Sequence, residues 1–201
     1  MDYSVIENIL KNWEIKSDSV TNRVALFEKV RDIPYFIEKS LLDPRQHPTE
    51  ILTTNRGSCS PKHYLLGLMY ERIGLDARYI SQKFSWNDAT LLNLFPDDLK
   101  KFASKFPVIQ HFNLEVFIEN EWVLVDATFD LELKKLGFKI NEKWDGFSNQ
   151  NNAFTTWGSK QHKTAWDCAS YIQSQRDKMS KEEKLASNQF VGSFNTWRKT
   201  Q

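Results

Sequence analysis

His111-Phe112-Asn113-Leu114-Glu115-Val116-Phe117-Ile118 runs through Glu119-Asn120 into Glu121-Trp122-Val123-Leu124-Val125-Asp126. In the first half Phe112, Leu114, Val116 and Ile118 alternate with His111, Asn113, Glu115 and Phe117, the period-2 pattern of a strand with one buried face. The polar break and the second apolar run turn the stretch into a β-hairpin. With a two-residue turn at Glu119-Asn120 or Asn120-Glu121, Asp126 lies opposite Asn113 or Glu115 and points the same way as His111. A three-residue loop would reverse that parity. The other face, Phe112, Leu114, Val116, Ile118, Val123 and Val125, is uniformly apolar and is core, which leaves the mixed face for a cleft.

Upstream of the hairpin the period changes from 2 to 3.6. Val20, Val24, Phe27 and Val30 predict a helix over about 19–31 that stops before Pro34. Tyr64, Leu65, Leu68, Met69 and Ile73 predict another, with Gly74 at its end and Pro61 tolerated only in its first turn. That puts the start of the helix at Cys59 to Pro61. Ala77–Ile80 reads as a strand and 88–105 as partly helical; a short strand is expected near 136–141 and a polar loop over 145–158. Two helices close the sequence, the last opened by the capping box Ser180-x-x-Glu183 and carrying Phe190, Phe194 and Trp197 on one face. A further helix is expected near 4–14.

With 201 residues, 27 basic against 26 acidic side chains and 40% hydrophobic residues, the composition is that of one ordinary globular domain. Fourteen Phe, seven Trp and six Tyr supply large buried area from few residues. Dispersed charge argues against a nucleic-acid surface. The longest apolar run, Tyr64–Tyr70, has seven residues where a membrane span needs about 20, and no basic export leader is evident, so a cytoplasmic protein is expected. Only Cys59 and Cys168 are available for sulfur chemistry, and in a reducing compartment they are not expected to pair. Cys168, beside Trp166 and Ala169, reads as packing.

Cys59, His111 and Asp126 form the candidate reactive set. A cysteine in the first turn of a helix meets unpaired N–H groups and the positive end of the dipole, which favour thiolate. An imidazole beside it stores and returns the proton, and a carboxylate on the second ring nitrogen fixes tautomer and orientation. Asp130 is a rival to Asp126 but falls beyond the alternating strand. His63, four residues after Cys59, is a second candidate base or, with the other three, a zinc ligand; structural zinc prefers more thiolates, so no metal is expected. His47 and His162 lie in polar segments and carry no signal.

These residues resemble a known family, the transglutaminase-like branch of the papain-like cysteine enzymes. The similar segments are Arg56-Gly57-Ser58-Cys59, Leu75-Asp76-Ala77-Arg78-Tyr79, His111-x3-Glu115-Val116 and Trp122-Val123-x2-Asp126-Ala127-Thr128, preceded by Val30-Arg31-Asp32-Ile33-Pro34-Tyr35. The resemblance spans roughly residues 25–130. It implies Cys59 as nucleophile, His111 as general acid and base, and Asp126 as its orienting partner. The family often has Trp after the Cys and Pro after the Asp, where this sequence has Ser60 and Ala127. Similarity to arylamine N-acetyltransferases is weaker, and the length leaves no room for the β-domains of calcium-dependent transglutaminases, so no calcium site is expected.

The expected fold is therefore α+β and papain/transglutaminase-like, the Cys59 helix packed on an antiparallel sheet with added N- and C-terminal helices. One domain over 1–201 is expected, with a core at about 20–142 and a helical C-terminal extension at about 143–201. An oxyanion hole needs two donors; the Cys59 N–H is one, and Asn55 or Gln46 through an amide, or Trp86 or Trp122 through an indole, are candidates for the second or for the walls of a substrate channel. The expected activity is cysteine-dependent acyl transfer or hydrolysis of an amide in a peptide, a glutamine side chain or a small molecule, with no cofactor. The alternative is a catalytically silent domain of the same fold that binds a peptide or protein in the cleft.

Overall fold

The computed structural model describes residues 4–38 and 49–201. Its elements are α1 (Ser4–Asn12), α2 (Val20–Arg31), α3 (Glu50–Thr54), α4 (Cys59–Ile73), β1 (Ala77–Phe84), α5 (Ala89–Leu92), α6 (Asp97–Ala103), β2 (Ile109–Ile118), β3 (Glu121–Val125), β4 (Trp157–His162), α7 (Ala165–Asp177) and α8 (Lys181–Lys199). The four strands form one antiparallel sheet in the order β3-β2-β1-β4. None of the described helices is long and apolar enough to cross a membrane.

The β2–β3 hairpin closes through the first of the two expected turns. Ile118 pairs with Glu121 and Leu114 with Val125, so Glu119 and Asn120 are the turn residues. Both have positive φ, 49° and 71°, the signature of a type I′ turn whose twist matches the strands. All six residues of the apolar face are buried. The mixed face does not stay open, however: His111 and Asn113 are fully buried as well, the His111 ring covered by Phe84 and Phe154.

Helix α4 crosses that apolar face and is held on its far side by α1 and α2 and at its flank by α7. Apart from Glu71 and Arg72 all of its residues are buried, which is why its sequence carries a stripe far wider than that of an amphipathic surface helix. Gly67 lets the sheet approach: a Cβ there would fall 2.4 Å from the Tyr79 hydroxyl. Lys62, in the first turns of α4, is wholly buried and donates to the carbonyls of Arg31, Ile33 and Thr128 at 2.7, 2.8 and 2.9 Å. Three N–H bonds meet three acceptors, so one ammonium ties the end of α2 and the segment after β3 to the start of α4.

Two expectations from sequence fail. Residues 131–136 form a 3₁₀ helix that ends at Gly137 with φ 91°, and no strand follows at 136–141. The fourth strand instead lies at Trp157–His162, inside what reads as polar loop and helical extension. It is an edge strand with five exposed residues, so nothing forces an apolar alternation on it.

A second, aromatic core fixes the end of the sequence to the rest. Phe190 and Phe194 of α8 are fully buried against Trp86, and Phe194 meets Tyr35 edge-on. Burial of each such side chain is worth about 1.5–3 kcal/mol. At the end of α8 the buried Arg198 reaches Asp130 at 2.8 Å.

Candidate active site

Cys59 is the first residue of α4, with Ser58 as an uncapped N-cap in extended conformation. The first N–H groups of the helix thus have no side-chain acceptor and lie beside the sulfur. His111 is the third residue of β2, and Asp126 follows the last residue of β3. The hairpin register brings the latter two into direct contact: His111 Nε2 lies 2.8 Å from Asp126 Oδ2, both side chains fully buried. The other ring nitrogen, Nδ1, is buried without a settled hydrogen-bond partner. The Cys59 thiol is close enough to shift the titration of the imidazole and to be shifted by it.

Burial alone would push the Cys59 thiol up, but hydrogen bonding to His111, the charge on its ring and the Phe112 backbone N–H outweigh it and leave the thiol below its ordinary value. Burial likewise opposes protonation of His111, yet Asp126 by charge and hydrogen bond, then Cys59, raise it to about 9. Asp126, despite burial, is held well below the usual carboxylate range by His111 first and His63 and Thr128 after it. The combination favours thiolate beside imidazolium over thiol beside imidazole. Cys168 goes the other way, since burial pushes its thiol far up; it is a fully buried packing residue.

Asp126 is clamped at every polar atom. Oδ1 accepts from the Thr128 N–H at 3.0 Å and Oδ2 also accepts from the Ala153 N–H at 2.9 Å. Its own N–H donates to Gln150 Oε1 at 2.7 Å and its carbonyl accepts from Asn141 Nδ2 at 2.9 Å. The polar segment after β3, with no catalytic signature in its sequence, is therefore the scaffold of the carboxylate.

His63 is neither a second base nor a metal ligand. Its Nδ1 sits 2.8 Å from the Cys59 carbonyl and its Nε2 accepts the Ala127 N–H at 2.8 Å, which fixes the neutral ring with Nδ1 as donor. Burial holds it down at about 4. Asp130 is also removed from candidacy, because its two oxygens take Arg198 and the N–H groups of Glu132 and Tyr35. His162 is not exposed as its setting suggests; it is buried and paired with Ser81 Oγ at 2.8 Å.

A cleft of about 620 Å³ opens onto Cys59 and is walled by Tyr35, Trp86 and Gln110 on one side and by α7 and α8 on the other. Of the four residues suggested for oxyanion or cleft roles, Trp86 lies in this wall, buried, and its indole N–H has no acceptor. Asn55 does not line it: exposed, it ends α3 in the left-handed conformation, φ 49°. Trp122 does not either; it stacks on Phe117 and under the Arg78 guanidinium along the hairpin. Gln46 and His47 lie outside the described residues. Tyr35 was not singled out from sequence, yet it lines the cleft, and burial together with the charges of Cys59 and Asp126 pushes its hydroxyl well up.

The profile of the transglutaminase-like superfamily matches residues 12–127, which takes in Cys59, His111 and Asp126. The chain belongs to that superfamily, and its fold is the mixed helix and antiparallel-sheet fold of papain/transglutaminase-like cysteine enzymes. No curated protein matches. Among solved structures, a candidate cysteine protease from Cytophaga hutchinsonii aligns at 15% identity and a TM-score of 0.44 over 77% of this chain; this chain spans 40% of that protein's length.

Proposed function

We propose that this protein is a cysteine enzyme that cleaves or transfers the acyl group of an amide through a thioester on Cys59. The observation that carries the reading is the fully buried His111–Asp126 contact at 2.8 Å, made by one ring nitrogen while the other is turned to the Cys59 thiol. An imidazole used only for packing would have no need of a carboxylate clamped by two backbone N–H groups.

In this mechanism the Cys59 thiolate adds to the amide carbonyl, forming a C–S bond. The Cys59 N–H at the helix start receives the developing oxyanion, and the Trp86 indole N–H is the second donor. His111 then gives its proton to the leaving nitrogen as the C–N bond breaks. Water or a second amine attacks the thioester, His111 takes its proton, and thiolate leaves. The substrate is a peptide, a protein glutamine or a small amide that fits the cleft beside Trp86 and Tyr35. Both described cysteines are unpaired, in keeping with a reducing compartment, and we assign the protein to the cytoplasm.

The test is alkylation of Cys59 by iodoacetamide as a function of pH, with the labelled residue read by mass spectrometry. The expected profile has an inflection well below pH 8 that disappears in His111→Ala. An ordinary thiol profile in the wild type would sink the reading and leave a silent binding domain. Glutamine-containing peptides offered with and without a primary amine then decide between water and amine as acceptor.

A further inference from the structure

Every described arginine but one is held by a carboxylate: Arg23, Arg31, Arg56, Arg72, Arg78 and Arg198 are each ion-paired to an Asp or Glu. The side chain of Arg176, near the end of α7, has no ion pair, hydrogen bond or ring contact among the described residues, although it lines the Cys59 cleft. It is no surface arginine reaching into water. It is only partly exposed, burial pulls its guanidinium below the ordinary value, and the groups that hold it up are Tyr64 and Cys59 themselves.

The charges around it do not neutralise it. Asp177 shares the wall, but one of its carboxylate oxygens accepts from Gln173 Nε2 at 2.8 Å, on the exposed side of the helix. Lys184 of α8 also lines the cleft and spends a donor on the Asp177 carbonyl at 3.2 Å, adding a second positive charge to that end. A guanidinium offers a planar fork of donors that matches a carboxylate in two parallel hydrogen bonds, and in a half-enclosed cleft it is costly to leave unmatched.

We propose that Arg176, with Lys184 beside it, anchors a carboxylate of the acyl donor, so that the enzyme selects amides carrying a carboxylate within reach of the bond attacked. The inference rests on Cys59 being the reacting group, and it assigns to α7 and α8 the role of specificity wall. The carboxylate comes either from a free chain end or from an acidic side chain.

Three chloroacetyl probes separate these sources: N-chloroacetyl-glutamine amide, which is neutral; N-chloroacetyl-glutamine, with a terminal carboxylate; and N-chloroacetyl-glutamate α-amide, with a side-chain carboxylate. In each the Cys59 sulfur forms a C–S bond and chloride leaves with the C–Cl electrons. Rates are divided by those for free cysteine, and the anionic-to-neutral ratio is compared among wild type, Arg176→Gln and Arg176→Lys. Because all probes meet the same thiolate, any change in thiol acidity cancels in the ratio. At least one anionic probe is expected to be favoured about 10-fold in wild type, the preference falling to about 1 in Arg176→Gln and surviving in part in Arg176→Lys. A wild-type ratio of 1 or less, or a preference that persists in Arg176→Gln, would overturn the proposal. Failure of the cysteine-enzyme reading shows separately, as an ordinary pH profile for the neutral probe, and the ratio is still readable at about pH 9.5, where a thiol of ordinary acidity is mostly ionised.

Discussion

His63 joins Cys59 to the segment that carries Asp126: one turn along the same helix, its Nδ1 holds the Cys59 carbonyl at 2.8 Å while its Nε2 takes the N–H of Ala127, the residue after Asp126. Cys59 and Asp126 are thus tied together by a single neutral imidazole that bonds main-chain atoms beside each side chain. Its other close neighbour is Asp126 Oδ1 at 3.8 Å. Lys62, the preceding residue, joins the same helix to the segment after β3 through the Thr128 carbonyl and to the end of α2 through those of Arg31 and Ile33, so the registry of helix and hairpin is set twice over.

That arrangement makes the fold acid-sensitive in a defined window. His63 is held down at about 4 against an ordinary 6.5, so its contribution is whole above pH 6.5 and is lost as pH falls toward 4. The loss amounts to about 3 kcal/mol. His111, raised to about 9, acts in the opposite sense, stabilising below pH 6.5 and losing its contribution as pH rises through 9. Urea unfolding of wild type between pH 7 and 4 should therefore show a steep fall in stability that is largely absent in His63→Gln, where a neutral amide replaces the ring. Parallel slopes in the two proteins would mean that another group carries the acid limb.

Asp126→Asn tests the carboxylate. Its Oδ2 accepts two N–H donors and Oδ1 a third, so an amide must turn its NH₂ toward at least one donor. His111 loses the charge that raises it, and the thiolate loses its imidazolium. The alkylation inflection of Cys59 should move up toward the ordinary thiol value, and turnover should fall by about 10³–10⁴. Kinetics on whichever amide proves to be a substrate, alongside the labelling profile, measure both.

The candidate reactive set was legible in sequence for a geometric reason. A strand has a period of two, so once the turn has two residues the relative direction of His111 and Asp126 follows from counting, and only the choice of turn was left open. Cys59 was legible because Pro61 can stand only in a first turn. What places those groups was not legible: Gln150, Asn141 and Ala153 reach Asp126 across a segment with no periodicity, and Tyr35 enters the cleft from beyond α2. The edge strand β4 was missed because its exposed residues have no reason to alternate. Trp122 and Asn55 were misassigned because residue type was the only guide, and their partners, Arg78 and a helix end, are set by the fold.

The C-terminal helix should depend on one buried ion pair. Arg198 Nη2 meets Asp130 Oδ1 at 2.8 Å, and Asp130 Oδ2 holds the Tyr35 N–H at 2.6 Å, so the pair links α8 to the cleft wall. Arg198→Met leaves a buried carboxylate without its cation and should cost about 3–5 kcal/mol. A melting curve should fall by roughly 2–4 °C for each kcal/mol lost in a chain of this size. Adding Asp130→Asn should recover part of that loss, because the uncompensated charge is then gone; a fully additive double variant would show that the two residues do not interact.

The hairpin turn offers a gain in stability without touching the site. Glu119 and Asn120 both sit at positive φ, 49° and 71°, where a glutamate pays a steric cost that Asn or Gly avoids. Replacing the pair by Glu119→Asn and Asn120→Gly keeps the two-residue type I′ loop, and with it the pairing of Ile118 with Glu121 that brings Asp126 beside His111. The double variant should be more stable by about 0.5–1 kcal/mol in urea, because the left-handed strain relieved at Glu119 outweighs the extra unfolded-chain freedom of a glycine at 120, with the Cys59 alkylation profile unchanged. A shifted profile would mean that the turn sets more than the register, since its residues lie at the far end of the hairpin from the thiol.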